Sequence, residues 1–218
     1  GFACGPGRTA LAASESTDQY LAISDGNARL RRKGEDIIVP AIGAGNLYCI
    51  ASGVPTLPYP KLSADIAIRA ILGFYENTNN AEVKLQLGNF VLDAHRKLRT
   101  RAKDQGLSPL GTSLGICWVN GNRFHFANIG DTRIYQMRGG ELQCLTKDHS
   151  RREFASRGDL PEPEKPDRLA QAFLFGQSYP ERNTSLQLDL GLDVNSMRTQ
   201  SGDRFLIASR GLYKHVKA

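Results

Sequence analysis

Apolar residues in the middle of the chain fall into three short runs, at residues 112–119, 123–129 and 133–137. The runs are rich in Ile, Val, Phe, Trp and Tyr, which β-strands favour. Pairs of turn-forming residues follow the three runs in order: Asn120-Gly121, Gly130-Asp131 and Gly139-Gly140. Because Asn-Gly is a strong hairpin signal and glycine-rich pairs mark turns, the pattern predicts a three-stranded antiparallel meander. We expect the remaining elements to pack against it.

Before the meander, apolar residues recur at every third or fourth position, which is the spacing of amphipathic helices. Residues 61–76 form the first predicted helix, with Ser63 or a neighbouring polar residue as its candidate cap. Its apolar stripe consists of Leu62, Ile66, Ala70 and Phe74. Residues 82–103 form the second predicted helix, whose opposite face carries Lys, Arg and Gln. Its apolar stripe consists of Val83, Leu87, Val91, Ala94, Leu98 and Ala102.

Shorter apolar runs elsewhere predict further strands, at residues 20–24, 29–39, 46–51, 185–190 and 204–208. Prolines and glycine make residues 52–60 a loop, and the charged, proline-containing residues 151–168 read as an exposed loop. The sequence of residues 211–216 predicts the start of a helix. This order of elements suits two packed sheets flanked by helices. We expect a frayed N-terminal tail over residues 1–18, followed by a single domain over residues 19–218.

The composition is that of an ordinary globular domain, and no apolar run reaches the roughly 18 residues of a membrane span. No signal peptide is visible. Cys49 and Cys117 lie within apolar strand patterns, without metal-binding spacing. We therefore expect buried, reduced thiols and a cytoplasmic location.

The formal net charge is +6, and basic residues cluster at 29–33 and 96–103. These clusters are either solvated faces or a surface for an acidic or phosphorylated partner. No aromatic residues interleave with them, so nucleic-acid binding is not supported. We expect a protein partner, with neither nucleic acid nor membrane.

A family resemblance follows from GTS at residues 111–113 and from ANIGDTRIYQMRGGELQCLTKDHS at residues 127–150. Both segments resemble the core of the metal-dependent, type 2C Ser/Thr protein phosphatases, the PPM family, and the resemblance extends from about residue 20 to residue 216. It implies an α+β fold, a four-layer αββα sandwich of two antiparallel sheets with the active site at one end. In this family, two Mg²⁺ or Mn²⁺ ions held by carboxylates activate a bridging water that attacks phosphorus.

The first motif of the family is kept. It has an Arg followed, after three residues, by Glu-Asp, and here it consists of Arg31, Glu35 and Asp36. The resemblance implies that Arg31 binds phosphate, because its planar fork matches phosphate oxygens. It also implies that Glu35 faces a metal and that Asp36 lies beside it. Without the family resemblance, a surface Arg and an acidic pair would be interpreted as purely structural residues.

Two other metal-ligand motifs have lost their aspartates. The strand over residues 47–51 ends in Ser52-Gly53 where the family has Asp-Gly, and SGDRFLIASRGL carries Arg210 where the family has a ligating Asp. A late Asp-Asn pair is not found before Ala218, so we expect the C-terminal part of the domain to be missing. The repulsion between a guanidinium and a divalent ion about 4 Å away costs several kcal/mol per unit charge pair, at an effective dielectric constant near 20.

The resemblance therefore implies a degenerate site. We expect Ser52 and Arg210 to leave no catalytic residues, Glu35, Asp36 and Gly53 to be vestigial metal positions, and no cofactor to be needed. Arg210 is expected to pair with Glu35 or Asp36 in place of the metals. The chain would then be a pseudophosphatase that binds or regulates a Ser/Thr kinase or a phosphoprotein.

Two alternatives stay open. One is an active metal-dependent Ser/Thr phosphatase with a rearranged Mg²⁺ or Mn²⁺ site, and the other is an oligomeric structural subunit. Among the remaining polar residues, Asp131 is expected to hold the turn of the meander. Asp148 and His149 are expected to organise the loop after the third strand. His95 and His125 are expected at surface or core positions, and not as ligands.

Overall fold

The computed structural model describes residues 2–5, 8–11, 18–24, 27–32, 35–40, 45–55, 57–76, 83–107, 110–149 and 193–214. The strands, in chain order, are β1 (Phe2–Gly5), β2 (Arg8–Leu11), β3 (Asp18–Ser24), β4 (Asn27–Arg32), β5 (Glu35–Pro40), β6 (Asn46–Gly53), β7 (Thr112–Asn120), β8 (Arg123–Ile129), β9 (Arg133–Arg138), β10 (Glu141–Cys144), β11 (Asp193–Arg198) and β12 (Arg204–Ala208). The helices are α1 (Pro60–Glu76), α2 (Val83–Gln105) and α3 (Arg210–Tyr213).

The strands form two antiparallel sheets, which confirms the predicted α+β fold. One sheet has the order β11-β8-β7-β6-β3-β4-β5, and the other has the order β10-β9-β12-β1-β2. Successive side chains of a strand point to opposite faces, so the central strands β3, β6, β7 and β8 of the larger sheet supply two cores. Leu21 and Ile23 of β3 pack with α1 and α2, whereas Tyr20 and Ala22 pack against the smaller sheet.

Aromatic rings fill both cores. Between the sheets, Phe124 of β8 stacks on Phe205 of β12, with 3.7 Å between ring centroids. Between the helices and the larger sheet, Phe90 of α2 stacks on Trp118 of β7, at 5.4 Å. None of the helices in the described part of the chain combines the length and the apolar character that a bilayer crossing requires.

The predicted meander is correct for two strands and wrong for the third. β7 and β8 form the Asn120-Gly121 hairpin within the larger sheet, but β9 pairs with β10 and β12 in the smaller one. The chain changes sheets at Gly130, Asp131 and Thr132. Periodicity shows which face of a strand is buried, but it does not show in which sheet the strand lies.

The predicted helices are present, but α1 buries a different face from the expected stripe. Its fully buried apolar residues are Ala64, Ala67, Ile68, Ala70, Ile71 and Tyr75. Ile66 and Phe74 lie at the border of this core, where Phe74 contacts Phe90 of α2 at 4.9 Å between ring centroids. The side chains of α1 are apolar on several sides, so its neighbours select the buried face. In α2, the described part of the predicted stripe, from Leu87 onward, is buried as expected.

Ser63 is not a helix cap, because it lies inside α1. Its hydroxyl donates to the carbonyl of Tyr59 and accepts from the backbone N–H of Gly111, each at 3.1 Å. Burial lowers the pKa of His95 to about 4, which keeps this core histidine of α2 neutral. Cys49 and Cys117 are buried free thiols, as predicted.

Further differences lie near the ends of the chain. Residues 1–18 are not simply a tail, because β1 pairs with β12 and β2 pairs with β1. The predicted strand over residues 29–39 is a hairpin of two strands, β4 and β5. The C-terminal helix is shorter than predicted and covers Arg210–Tyr213. The strand predicted over residues 185–190 lies outside the described residues.

Gly130 should be required by the change of sheets. Its φ is +81°, and a Cβ at this position would lie 2.7 Å from Cβ of Ser113. Gly140 has a similar φ of +88° and open space around it. We expect Gly130→Ala to lower the free energy of unfolding by about 1–3 kcal/mol more than Gly140→Ala, because both incur backbone strain and only the first creates a clash.

Urea unfolding of the two variants measures this difference directly. Equal losses of stability would show that the contact with Ser113 does not constrain the turn.

Candidate functional site

Three neighbouring strands of the larger sheet carry polar residues at one end. Asp18 of β3 lies opposite Ser52 of β6, and Ser52 lies opposite Ser113 of β7. Opposed residues of paired strands share one face of the sheet. Tyr20 and Ile50, two positions away on their strands, face the smaller sheet. The three polar residues therefore form a row on that same face.

The smaller sheet meets this row with residues at the ends of its own strands. Thr132 precedes β9, and its hydroxyl donates to the Ser113 hydroxyl at 3.2 Å. Ser209 follows β12, and its hydroxyl donates to the Asp18 carboxylate at 2.6 Å. We call this group the polar end of the sandwich. It consists of Asp18, Ser52, Ser113, Asp131, Thr132, Ser209 and Arg210.

Asp131 and Arg210 are the charged pair at the polar end. Nη1 of Arg210 lies 3.8 Å from Oδ2 of Asp131, and about a third of the Arg210 side chain is exposed. Burial raises the pKa of Asp131, while a hydrogen bond from Ser113 and the charge of Arg210 act in the opposite direction. A fixed positive charge thus lies beside a largely desolvated carboxyl group.

Asp148 and His149 hold the turn that carries Asp131, and their predicted role in the loop after the third strand stays a prediction. The backbone N–H of His149 donates to the Gly130 carbonyl at 2.8 Å, and the Gly130 N–H donates to Nδ1 of His149 at 3.3 Å. Asp148 accepts two hydrogen bonds from Arg133, at 2.8 and 2.7 Å. The hydrogen bonds to Asp148 raise the pKa of Arg133.

The predicted site residues divide into two groups. Ser52 and Arg210 both lie at the polar end. In the hairpin of β4 and β5, Arg31 lies opposite Asp36 and Arg32 lies opposite Glu35. Because β4 runs antiparallel to β3, this hairpin reaches the end of the sheet at which β3 begins.

The backbone register therefore brings the first motif to the polar end of the sheet. The side chains of Arg31, Glu35 and Asp36 lie outside the described residues. The predicted pairing of Arg210 with Glu35 or Asp36 stays a prediction, and the carboxylate described beside Arg210 is that of Asp131.

Gly53 has a steric reason to be glycine. A Cβ at this position would lie 1.9 Å from the carbonyl oxygen of Pro60, where α1 begins. The close approach of β6 and α1 thus accounts for Gly53 without a metal.

Asp18, Ser209 and Tyr213 were not predicted as site residues. Asp18 lies at the start of a strand, and only the register of β3 with β6 shows that it faces Ser52. Tyr213 reaches the site from α3, through a hydrogen bond to the carbonyl of Asp131.

The described residues of the polar end do not fit a pair of divalent ions. Mg²⁺ and Mn²⁺ take several oxygen ligands, largely from carboxylates. Here Asp18 accepts a hydrogen bond from Ser209, and Asp131 lies beside a guanidinium. Over the described ranges, no group of three or more His, Cys, Asp or Glu residues could hold a metal ion.

The chain has relatives among bacterial protein phosphatases. It is 30% identical to protein phosphatase PhpP of Streptococcus pneumoniae over 132 residues, which are 60% of this chain and 51% of PhpP. It is 24% identical to serine/threonine protein phosphatase PstP of Mycobacterium tuberculosis over 199 residues, which are 89% of this chain and 36% of PstP. The chain thus spans about half of the first relative and about a third of the second. No protein-family model matches it.

Solved structures of similar proteins have the same fold. The S. agalactiae serine/threonine phosphatase superposes with a TM-score of 0.65 at 20% identity, covering 91% of this chain and 82% of that one. The catalytic domain of PstP in complex with two manganese ions superposes with a TM-score of 0.59 at 23% identity, covering 91% and 80%.

The fold and these relatives define the class. The chain has the fold of the PPM-type domain that its sequence resembles, and its relatives are bacterial protein phosphatases.

Proposed function

We propose that this domain recognises a phosphorylated protein without hydrolysing it and without binding a divalent ion. The observation that supports this most directly is the guanidinium of Arg210, 3.8 Å from the carboxylate of Asp131. By its resemblance to the family motif, Arg210 occupies the position of a metal-ligating aspartate. A ligand is thereby replaced by a cation next to Asp131, a described carboxylate that could otherwise attract a metal.

The electrostatic cost supports the absence of a bound metal. At about 4 Å and an effective dielectric constant of 20, two unit charges interact by about 4 kcal/mol, and a divalent ion doubles that repulsion. Ser52 offers a hydroxyl in place of the second carboxylate, which removes an attractive charge as well. Two remaining acidic residues, Glu35 and Asp36, would have to outweigh both changes.

The same substitution favours phosphate recognition. A guanidinium carries five N–H donors in a planar fork, so the contact with Asp131 leaves donors for a phosphate. Arg210 is partly exposed, and the register brings the hairpin with Arg31 to the same end of the sheet. The proposed partner is therefore a phosphoprotein or a Ser/Thr kinase. The buried free thiols Cys49 and Cys117 support a reducing, cytoplasmic setting.

The second candidate is an active metal-dependent Ser/Thr phosphatase with a rearranged site. It is favoured by the sequence relatives, which are protein phosphatases, and by the manganese complex of PstP. It requires ligands that compensate for Ser52 and Arg210.

We expect no hydrolysis of p-nitrophenyl phosphate in Mn²⁺, and no heat of Mn²⁺ binding by calorimetry. The double variant Ser52→Asp/Arg210→Asp should gain measurable Mn²⁺ binding, because it restores two carboxylates and removes the repelling cation. The matched control is Gln143→Asp/Arg204→Asp, which makes the same change of net charge at exposed strand positions and should bind no Mn²⁺. Metal-dependent turnover by the natural sequence, lost in Glu35→Gln, would establish the second candidate instead.

Recognition is tested with a phosphoserine peptide and its unphosphorylated twin, by fluorescence anisotropy. We expect only the phosphopeptide to bind. Arg210→Met should weaken it by about ten- to a hundredfold, because hydrogen bonds to charged groups are worth roughly 1.5–3 kcal/mol. Arg204→Met is the control, since Arg204 lies at the opposite end of β12. Equal affinity for both peptides, or equal losses in both variants, would contradict phosphate recognition by Arg210.

A further inference from the structure

The position of Arg210 depends on contacts made by a very short helix. α3 has four residues, Arg210–Tyr213, and a single turn has almost no stability of its own. The direction in which Arg210 points must therefore be set by what holds this turn. Two of its side chains, Arg210 and Tyr213, make the contacts that hold the turn against Asp131.

Arg210 and Tyr213 hold the same residue at two points. They are three positions apart, so they lie on one face of the turn. Arg210 faces the Asp131 carboxylate, and the Tyr213 hydroxyl donates to the Asp131 carbonyl at 2.9 Å. Asp131 thus links the two ends of α3 through its side chain and its backbone.

Tyr213 is itself held from its other side. The guanidinium of Arg133 lies over its ring, 3.9 Å from the centroid, which is a cation–π geometry. The two hydrogen bonds from Arg133 to Asp148 fix the orientation of that guanidinium. The ring of Tyr213 therefore rests on a planar group that cannot turn freely.

We propose that Tyr213 is a positioning residue, which sets the guanidinium of Arg210 against Asp131 through its ring contact with Arg133 and its hydrogen bond to the Asp131 backbone. The role in phosphate recognition rests on the function proposed above. The positioning of Arg210 by Tyr213 does not depend on that proposed function.

The first measurement is the titration of the Asp131 carboxyl by NMR. The charge of Arg210 lowers the pKa of Asp131, so Arg210→Met should raise that pKa. Asp148 and Ser113 also act on it, and both remain in place. If Tyr213 positions Arg210, then Tyr213→Phe should raise the pKa of Asp131 by a smaller amount and Tyr213→Leu by more. Neither should change it further in the Arg210→Met background.

This dependence on background separates positioning from a purely structural role. A residue that only supports the fold would act on Asp131 equally with or without Arg210. Tyr75→Phe is the matched control, because it removes a similar hydroxyl-to-carbonyl bond, to Gly45 at 2.8 Å, in the other core. Tyr75→Phe should leave the pKa of Asp131 unchanged. Should Tyr213→Leu fail to fold, Tyr213→Phe decides the matter alone.

The second measurement is affinity for the phosphoserine peptide. Tyr213→Phe should weaken binding by about two- to tenfold, the range for loss of one hydrogen bond, and Arg210→Met by more. Absence of binding by the natural sequence, with the Asp131 shifts intact, would refute the proposed function and leave the positioning role standing. An unchanged pKa of Asp131 in both Tyr213 variants, or equal shifts in both backgrounds, would overturn the positioning role.

Discussion

The change of sheets between β8 and β9 is the constraint on which the site depends. The chain must leave the larger sheet, turn within three residues and enter the smaller sheet, all beside β7. Two glycines make this close approach feasible. Gly130 has a positive φ and lies against Ser113, and a Cβ on Gly115 would lie 2.5 Å from Cγ2 of Thr132. The turn can therefore press onto β7, which brings Asp131 and Thr132 to the row formed by Asp18, Ser52 and Ser113.

The polar end is closed by contacts between the two sheets. Ser209 binds Asp18, Thr132 binds Ser113, and Arg210 faces Asp131. The first two contacts join the ends of β12 and β9 to the larger sheet, and the third joins the end of β12 to the turn between the two sheets. In our proposal, side-chain contacts and one internal cation stand where related enzymes would use divalent ions. The fold then persists without the metal chemistry, and the partly exposed guanidinium becomes available to bind an anion.

Local signals predicted a large part of the fold. The Asn120-Gly121 hairpin, the buried stripe of α2 and strand β12 follow from turn residues and from apolar spacing that neighbours do not override. The errors share one physical cause, which is dependence on distant partners. The pairing of β1 with β12 involves residues about 200 positions apart, and the short sequence of β1 carries no sign of it. In α1, apolar residues on several sides leave the choice of buried face to β6 and α2.

The residues of the candidate site also separate into those that local motifs predict and those that only distant contacts determine. Ser52 and Arg210 could be placed together from the family motifs, because Ser52 lies near the end of β6 and Arg210 follows the end of β12. Asp18 and Tyr213 could not, because Asp18 becomes a neighbour of Ser52 only through strand register, and Tyr213 reaches Asp131 only through the turn of α3. Register and turn geometry are properties of the assembled sheets. They are not encoded by any one segment.

In our proposal, the guanidinium of Arg210 stands in the place of a metal ligand and keeps divalent ions out of the polar end. The most direct test of this proposal is a crystal of the protein soaked in Mn²⁺, with anomalous diffraction data collected at the manganese edge. We expect no manganese peak between Asp18, Ser52, Asp131 and Arg210. Two well-occupied peaks bridged by a solvent oxygen at this end of the sheets would contradict it.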